Sequence, residues 1–116
     1  NMIVLQGGKK VFPEEVETVL EKGENFAEVC VFGSVRSFGS KDGAEEVVAV
    51  VVPKEDLYKN HTNEEVEAMV KADVKTLSMQ LTQYKRPSSV YVLKEALPKT
   101  TTRKVKRNEV KKLVNA

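Results

Sequence analysis

Donor chemistry in this sequence concentrates in one window near its end. Thr100, Thr101 and Thr102 supply three hydroxyls, and Arg103, Lys104, Lys106 and Arg107 supply four cations within eight residues. Such a cluster suits a phosphate or carboxylate, because hydrogen bonds to an ionised acceptor are roughly twice as strong as neutral ones. Lysine fits a mobile electrostatic role there: its ammonium is a compact charge on a long stem that reaches from a loop into a partner's cleft. Spacing alone leaves a catalytic lysine and an ordinary basic surface both open. The second candidate is the glycine pair Gly7-Gly8, followed by Lys9 and Lys10. Paired glycines make a tight turn and, lacking a Cβ, let backbone approach a ligand closely; a plain turn glycine is the competing reading.

Other chemistry-bearing residues read as structural. The acidic pairs Glu14/Glu15, Glu45/Glu46 and Glu64/Glu65 sit where helix starts or solvated strand ends account for them. Cys30, the one cysteine, lies in the apolar run Val29-Cys30-Val31-Phe32. That context predicts a buried packing residue, since a reactive thiolate needs exposure and nearby positive charge. His61, the one histidine, falls in a polar stretch between Asn60 and Thr62 and is expected at the surface; no second histidine helps it hold a metal, and no metal site is predicted. The sequence contains no Gly-x-Gly-x-x-Gly, no Walker loop, no Gly-x-Ser-x-Gly and no histidine-based triad, so the common self-contained enzymes are poorly supported.

The net charge of +2 conceals a pole. Residues 1–84 carry 9 basic and 15 acidic side chains, net −6, whereas residues 85–116 carry 10 basic and 2 acidic, net +8. Such a pole serves a nucleic-acid patch, an anion-binding edge or a solvated helix end, and composition does not choose among them. At 116 residues, 41% hydrophobic and 31% charged, the chain is sized for one small domain. It buries one core but encloses no large active-site cavity, so any substrate is shared with something else. The longest apolar run, Val47–Val52, is far too short to span a bilayer, and no signal segment opens the chain, which predicts a soluble cytoplasmic protein.

Elements that would position the candidates follow from pattern. Met2–Leu5 reads as a strand, Gly7-Gly8 as a turn and Lys9–Val11 as the returning arm of a hairpin. Pro13, with Glu14 and Glu15 behind it, predicts a helix start, Val16, Val19 and Leu20 its buried face and Gly23 its stop. Glu28–Ser34 and Glu45–Val52 read as paired strands separated by the polar loop 35–43. Thr62-x-x-Glu65 is a capping box, behind which Val66, Met69, Val70, Val74, Leu77 and Leu81 repeat at helical spacing. Val90–Leu93 reads as a third main strand, 97–104 as a loop, and Asn108 as the cap of a last helix carrying Val110, Leu113 and Val114. The order predicts an α+β domain: an N-terminal β-hairpin, then a small central sheet with helices packed against it.

Two segments together are specific. Gly8-Lys9-Lys10-Val11-Phe12-Pro13-Glu14-Glu15-Val16-Glu17, combined with Lys85-Arg86-Pro87 and Leu97-Pro98-Lys99-Thr100-Thr101-Thr102-Arg103-Lys104-Val105-Lys106-Arg107, resembles the C-terminal domain of AMP-forming acyl-CoA synthetases, in the adenylate-forming superfamily. The resemblance spans nearly the whole chain. It implies that residues 1–116 form one mobile C-terminal domain of a longer enzyme, beginning just after the inter-domain hinge, and that this domain is inert alone. The implied partner is the enzyme's own N-terminal adenylation domain, which would hold ATP, Mg2+ and the acyl group. The implied reaction makes an acyl-adenylate from a carboxylic acid and ATP, then transfers the acyl group to coenzyme A. Lys104 corresponds to the adenylation lysine and Gly8 to a glycine lining the coenzyme A tunnel. Lys10 corresponds to a cation near a coenzyme A phosphate.

This sequence departs from the family pattern in two places. Arg103 stands where the family usually has glycine before the catalytic lysine, and the loop from Arg36 to Gly43 is longer than expected. The triple threonine followed by Lys-Val-Lys-Arg points to the branch acting on long-chain fatty acids. Adenylation of an aryl acid or loading of a carrier-protein thiol is the alternative within the superfamily. Outside it stands a small basic nucleic-acid-binding module, which the near absence of interleaved aromatics disfavours, so no nucleic-acid partner is expected.

Overall fold

The computed structural model describes residues 2–35 and 44–114. The polar loop at 36–43, with its expected extra length, and the terminal residues 1, 115 and 116 lie outside them.

Strands β1 (Ile3–Val4) and β2 (Lys10–Val11) pair antiparallel as the opening hairpin, shorter than the Met2–Leu5 strand expected. Ile3 and Val11 point into the core, which fixes how the hairpin sits on the domain. Helix α1 (Pro13–Leu20) begins with proline at its first position and buries Pro13, Val16 and Leu20; Gly23 N–H then closes the exit turn on Leu20 O at 3.0 Å. Next come β3 (Phe26–Val35) and β4 (Glu45–Pro53), antiparallel with Val31 opposite Ala49. Two elements not expected from the pattern follow the main signals: the short helix α2 (Leu57–Asn60) and a 3-10 turn at Gln83–Lys85. Between them runs α3 (Asn63–Ser78), and after them β5 (Ser89–Val92), which joins β4 in parallel. The main sheet thus has the order β3-β4-β5, and α4 (Arg107–Leu113) closes the fold.

Pleating sorts the central apolar run into two cores. Val29, Val31, Val47, Ala49 and Val51 face one side, where Val16, Leu20, Val66, Val70 and Val74 from α1 and α3 meet them. Cys30, Phe32, Val48, Val50 and Val52 face the other, against Leu97 and Val110. A strand covered on both faces has no reason to alternate apolar with polar, hence the unbroken valine-rich run at 47–52. Phe26 belongs to the first core although its parity matches Cys30 and Phe32. A β-bulge between Phe26 and Glu28 inserts an extra residue and reverses the facing.

Two helix boundaries differ from expectation. The α3 stripe ends at Ser78, and Leu81 is buried beyond it in a tight turn, held because Arg86 Nε donates to both Ser78 O (3.1 Å) and Leu81 O (3.2 Å). Asn108 does not cap α4: the cap position is Lys106, without a side-chain bond, and Arg107 is the first helical residue. The physical reason is tertiary, since Arg107 is fixed by partners on β3 and α1 described below.

Candidate functional site

The threonine-rich loop is a miniature β-hairpin. Lys99 and Val105 form an antiparallel bridge, and Lys106 N–H donates to Pro98 O at 2.9 Å. Across the turn, Arg103 N–H donates to Thr100 O at 2.9 Å and Thr100 N–H to Lys104 O at 2.8 Å. Arg103 has φ of +63°, the sole non-glycine residue with positive φ among those described. This is the three-residue hairpin loop in which a turn is followed by one left-handed residue that forms a bulge. That residue position favours glycine, so the departure at Arg103 leaves the left-handed backbone in place and substitutes a side chain that adopts it at a cost.

Lys104 follows the bulge. It is exposed, and its ammonium has no ion pair or hydrogen bond with any described residue. Its backbone, by contrast, is tied twice: its O accepts from Thr100 N–H, and its N–H donates to Thr100 Oγ1 at 3.2 Å. Thr100 Oγ1 also lies 3.0 Å from Thr102 Oγ1. Two of the three hydroxyls therefore brace the turn rather than stand free for an anion.

Both arms of this hairpin are bolted to β3. On the incoming arm, Leu97 N–H donates to Glu28 Oε2 at 3.1 Å, and Lys99 Nζ ion-pairs with Glu28 Oε1 while donating to Leu97 O at 3.1 Å. On the outgoing arm, Arg107 Nε donates to Val31 O at 3.1 Å, and its Nη2 donates to Glu17 Oε1 at 2.7 Å with Glu14 3.6 Å away. Glu17 Oε2 in turn accepts from Val31 N–H at 2.8 Å. Val31 stands on an edge strand, so Glu17 and Arg107 satisfy the amide and carbonyl that a further strand would otherwise take. Burial raises the Glu17 pKa above its ordinary value; the Val31 amide and Arg107 only partly oppose this.

In the sequence Arg107 stands among the four cations of the basic window. The fold removes it from that set, since its guanidinium is engaged. No local signal in the sequence marks Glu17 and Glu28 as positioning groups, because their partners Arg107 and Leu97 lie 90 and 69 residues away.

Gly8 occupies the β1–β2 turn. Gly7 and Gly8 have φ of +91° and +87°, Gly8 N–H donates to Leu5 O at 3.0 Å, and Leu5 N–H donates to Lys9 O at 2.8 Å. A Cβ added at Gly8 meets nothing within 4 Å. Within this chain the glycine is thus required by its dihedral, and the space beside it is open. Lys9 is engaged, its Nζ 4.5 Å from the Tyr84 ring centroid, whereas Lys10 is exposed without a partner among the described residues.

The structure does not bring the two candidates together. The Gly8 hairpin roots through Ile3 and Val11 in the core shared with α1 and α3. The Lys104 hairpin roots through Leu97 and Val105 in the core on the other face of the sheet. The other residues weighed fall where expected. Cys30 is fully buried and its thiol is pushed up to about 12 by burial, with Glu17 adding to the rise. His61 is exposed, with Nδ1 4.0 Å from Glu65 Oε1. No group of three or more His, Cys, Asp or Glu side chains among the described residues is placed to hold a metal ion. Nor is any described helix long and apolar enough to cross a membrane.

Comparison with known proteins gives consistent matches. A family model described as "AMP-binding enzyme C-terminal domain" matches residues 15–104, so Lys104 is its last matched residue while Gly8 and Lys10 precede it. The mitochondrial acyl-coenzyme A synthetase ACSM3 of Mus musculus is 36% identical over 110 residues, covering 95% of this chain and 17% of that protein. The indoleacetate–CoA ligase of Aromatoleum aromaticum is 32% identical over 114 residues, covering 97% of this chain and 19% of that protein. Among solved structures, a Mycobacterium tuberculosis fatty acyl CoA synthetase superimposes with a TM-score of 0.71 at 25% identity, over 97% of this chain and 19% of that one. The chain therefore spans about a fifth of the length of these relatives.

Proposed function

The chain belongs to the AMP-binding enzyme C-terminal domain family, that of acyl-CoA synthetases and CoA ligases, and on that premise we propose that residues 1–116 are the small mobile domain of a longer AMP-forming acid–thiol ligase. In the first half-reaction a carboxylate oxygen attacks the α-phosphorus of ATP and pyrophosphate leaves. In the second, the thiol sulfur of coenzyme A attacks the acyl carbon, AMP departs with the bonding pair, and the thiol proton is released. Lys104 serves the first step by holding the carboxylate against the α-phosphate and offsetting the charge gathered there, a positioning and electrostatic role. The Gly8 turn serves the second by letting the pantetheine arm pass, with Lys10 facing a coenzyme A phosphate. Mg2+ belongs to the larger domain.

One observation carries this reading: an exposed ammonium without a partner, on a hairpin whose backbone is fixed at both feet. The rooting of Lys104 and Gly8 in opposite cores supports it further, because a domain that rotates between steps can offer one face at a time. Lys104→Ala in the full-length ligase is expected to slow acyl-adenylate formation by about a hundredfold or more, while thioester formation from supplied acyl-adenylate stays within about threefold. Near-normal adenylation would overturn the assignment. The isolated chain is expected to form no acyl-adenylate.

For the acid itself we infer a long-chain fatty acid, supported by the threonine-rich hairpin sequence and by the similarity to a fatty acyl CoA synthetase. An aryl acid is the second reading, favoured by the 32% identity to an indoleacetate–CoA ligase. Rates of the intact enzyme with palmitate and with indoleacetate separate the two. The cytoplasm is our reading of its compartment, supported by the unpaired buried thiol of Cys30.

A further inference from the structure

A carboxylate on the apolar face of a sheet needs a reason. The bulge after Phe26 turns Glu28 toward the side on which Cys30, Phe32, Val48, Val50 and Val52 pack, and its side chain is only 19% exposed. Burying a charge there is unfavourable unless it is paired and hydrogen-bonded. Glu28 meets both conditions through one short segment: Oε2 accepts the Leu97 amide and Oε1 pairs with Lys99. Lys99 is also the residue that bridges Val105, one position past Lys104, and its ammonium closes back on Leu97 O. The carboxylate thus fixes the height and tilt of the incoming arm over the sheet. Arg107 fixes the outgoing arm independently, through Val31 and Glu17.

We propose that Glu28 is a positioning residue for adenylation, acting through the Leu97–Lys99 arm to hold the Lys104 ammonium at the reach the first half-reaction requires. The proposal rests on the role assigned to Lys104 above. Glu28 touches no substrate, and losing its charge would leave Lys104 chemically intact but loosely aimed. A catalytic group displaced by about 1 Å loses up to a hundredfold in rate.

The test uses Glu28→Gln in the full-length ligase, a change that keeps an acceptor for the Leu97 amide and removes the pairing with Lys99. The expected result is a loss of about tenfold to a hundredfold in kcat for acyl-adenylate formation, with thioester formation from supplied acyl-adenylate within about twofold. Lys99→Met, which breaks the same pair from the other side, should reproduce this split and guards against misfolding of the first variant. In a Lys104→Ala background, Glu28→Gln should cost nothing more, because its effect passes through that lysine. Equal losses in both half-reactions, a full additional loss in the Lys104→Ala background, or unchanged adenylation would each overturn the proposal. If Lys104→Ala itself leaves adenylation near normal, it is the assignment of Lys104 that falls; if Lys104→Ala is crippling and Glu28→Gln is silent, only the positioning role falls.

Discussion

Arg103 offers a perturbation whose sign follows from one dihedral. Its φ of +63° places Cβ in the left-handed region, and the hairpin needs that conformation because the Thr100–Lys104 bond pair closes around it. For a residue with Cβ this region costs about 1–2 kcal/mol. Arg103→Gly removes that cost but adds about 0.5–1 kcal/mol of backbone entropy to be lost on folding. The arginine side chain has no hydrogen bond or ion pair among the described residues to set against the change. The net expectation is a gain of about 0.5–1 kcal/mol. With an unfolding entropy of about 2.1 cal/mol/K per residue over the 116 residues, that gain raises Tm by about 2–4 °C. Arg103→Val should move the other way, since a β-branched side chain fits the left-handed region worst. Thermal and urea unfolding of the three chains is the assay, with the order glycine above arginine above valine expected. A glycine variant no more stable than the parent would refute the strained-bulge account of this hairpin.

Arg107→Ala should cost about 2–4 kcal/mol in urea unfolding, because it strands a mostly buried Glu17 carboxylate and frees the Val31 carbonyl. The Glu17 pKa lies above its ordinary value, so the folded state binds the extra proton and stability falls as pH rises from 4.5; the Arg107→Ala deficit should therefore shrink as pH is lowered from 7 toward 4.5. Cys30, with its thiol pushed from 9.0 up to about 12, should resist iodoacetamide in the native chain and react on unfolding. The same shift makes the folded state lose stability as pH rises from 9 toward 12, by up to about 1.4 kcal/mol per pH unit, a slope that Cys30→Ala should remove. Gly8→Ala should destabilise the chain by about 1 kcal/mol through its φ of +87° alone, while Gly8→Leu in the full-length ligase should slow thioester formation and spare adenylation.

Short-range features of this fold are legible in the sequence, and long-range ones are not. The capping box is made as its spacing implies, with Glu65 N–H donating to Thr62 Oγ1 at 3.1 Å and Thr62 N–H to Glu65 Oε1 at 2.8 Å. Proline at the start of α1 and the apolar faces of α1 and α3 are equally local facts. The valine-rich run at 47–52 announced a strand but concealed its two-sided burial, because the alternation that reveals a half-exposed strand is absent when both faces are covered. That β5 runs parallel to β4 is set by the crossover through α2 and α3, which strand composition does not encode. At the candidate site the basic, threonine-rich window and the paired glycines are visible by type and spacing, while Lys104 is picked out within that window only by the family resemblance. The left-handed bulge at Arg103 was hidden by a residue that normally avoids it, and Glu17, Glu28 and Arg107 acquire their roles only when distant segments meet.

The +8 surplus of residues 85–116 also changes meaning once the partners are placed. Lys85 pairs with Glu15, Lys99 with Glu28, Arg107 with Glu17 and Lys112 with Glu109, while Arg86 donates to two carbonyls and Lys94 stacks 4.6 Å from the Tyr58 ring centroid. Three of these pairs reach back into residues 1–84, whose net charge is −6, so much of the apparent pole holds the two parts of the chain together. Within the described part of this segment, Arg103, Lys104, Lys106 and Lys111 have no ion-pair, hydrogen-bond or ring partner for their charged groups. Three of the four lie within 103–106, at the tip and outgoing arm of one hairpin. An extended polyanion binds through many cations spaced along a surface, and here six of that segment's ten cations already have partners within the chain. A compact anion met by a single projecting tip makes fuller use of what remains, and that is the demand an α-phosphate beside a carboxylate would place on this domain.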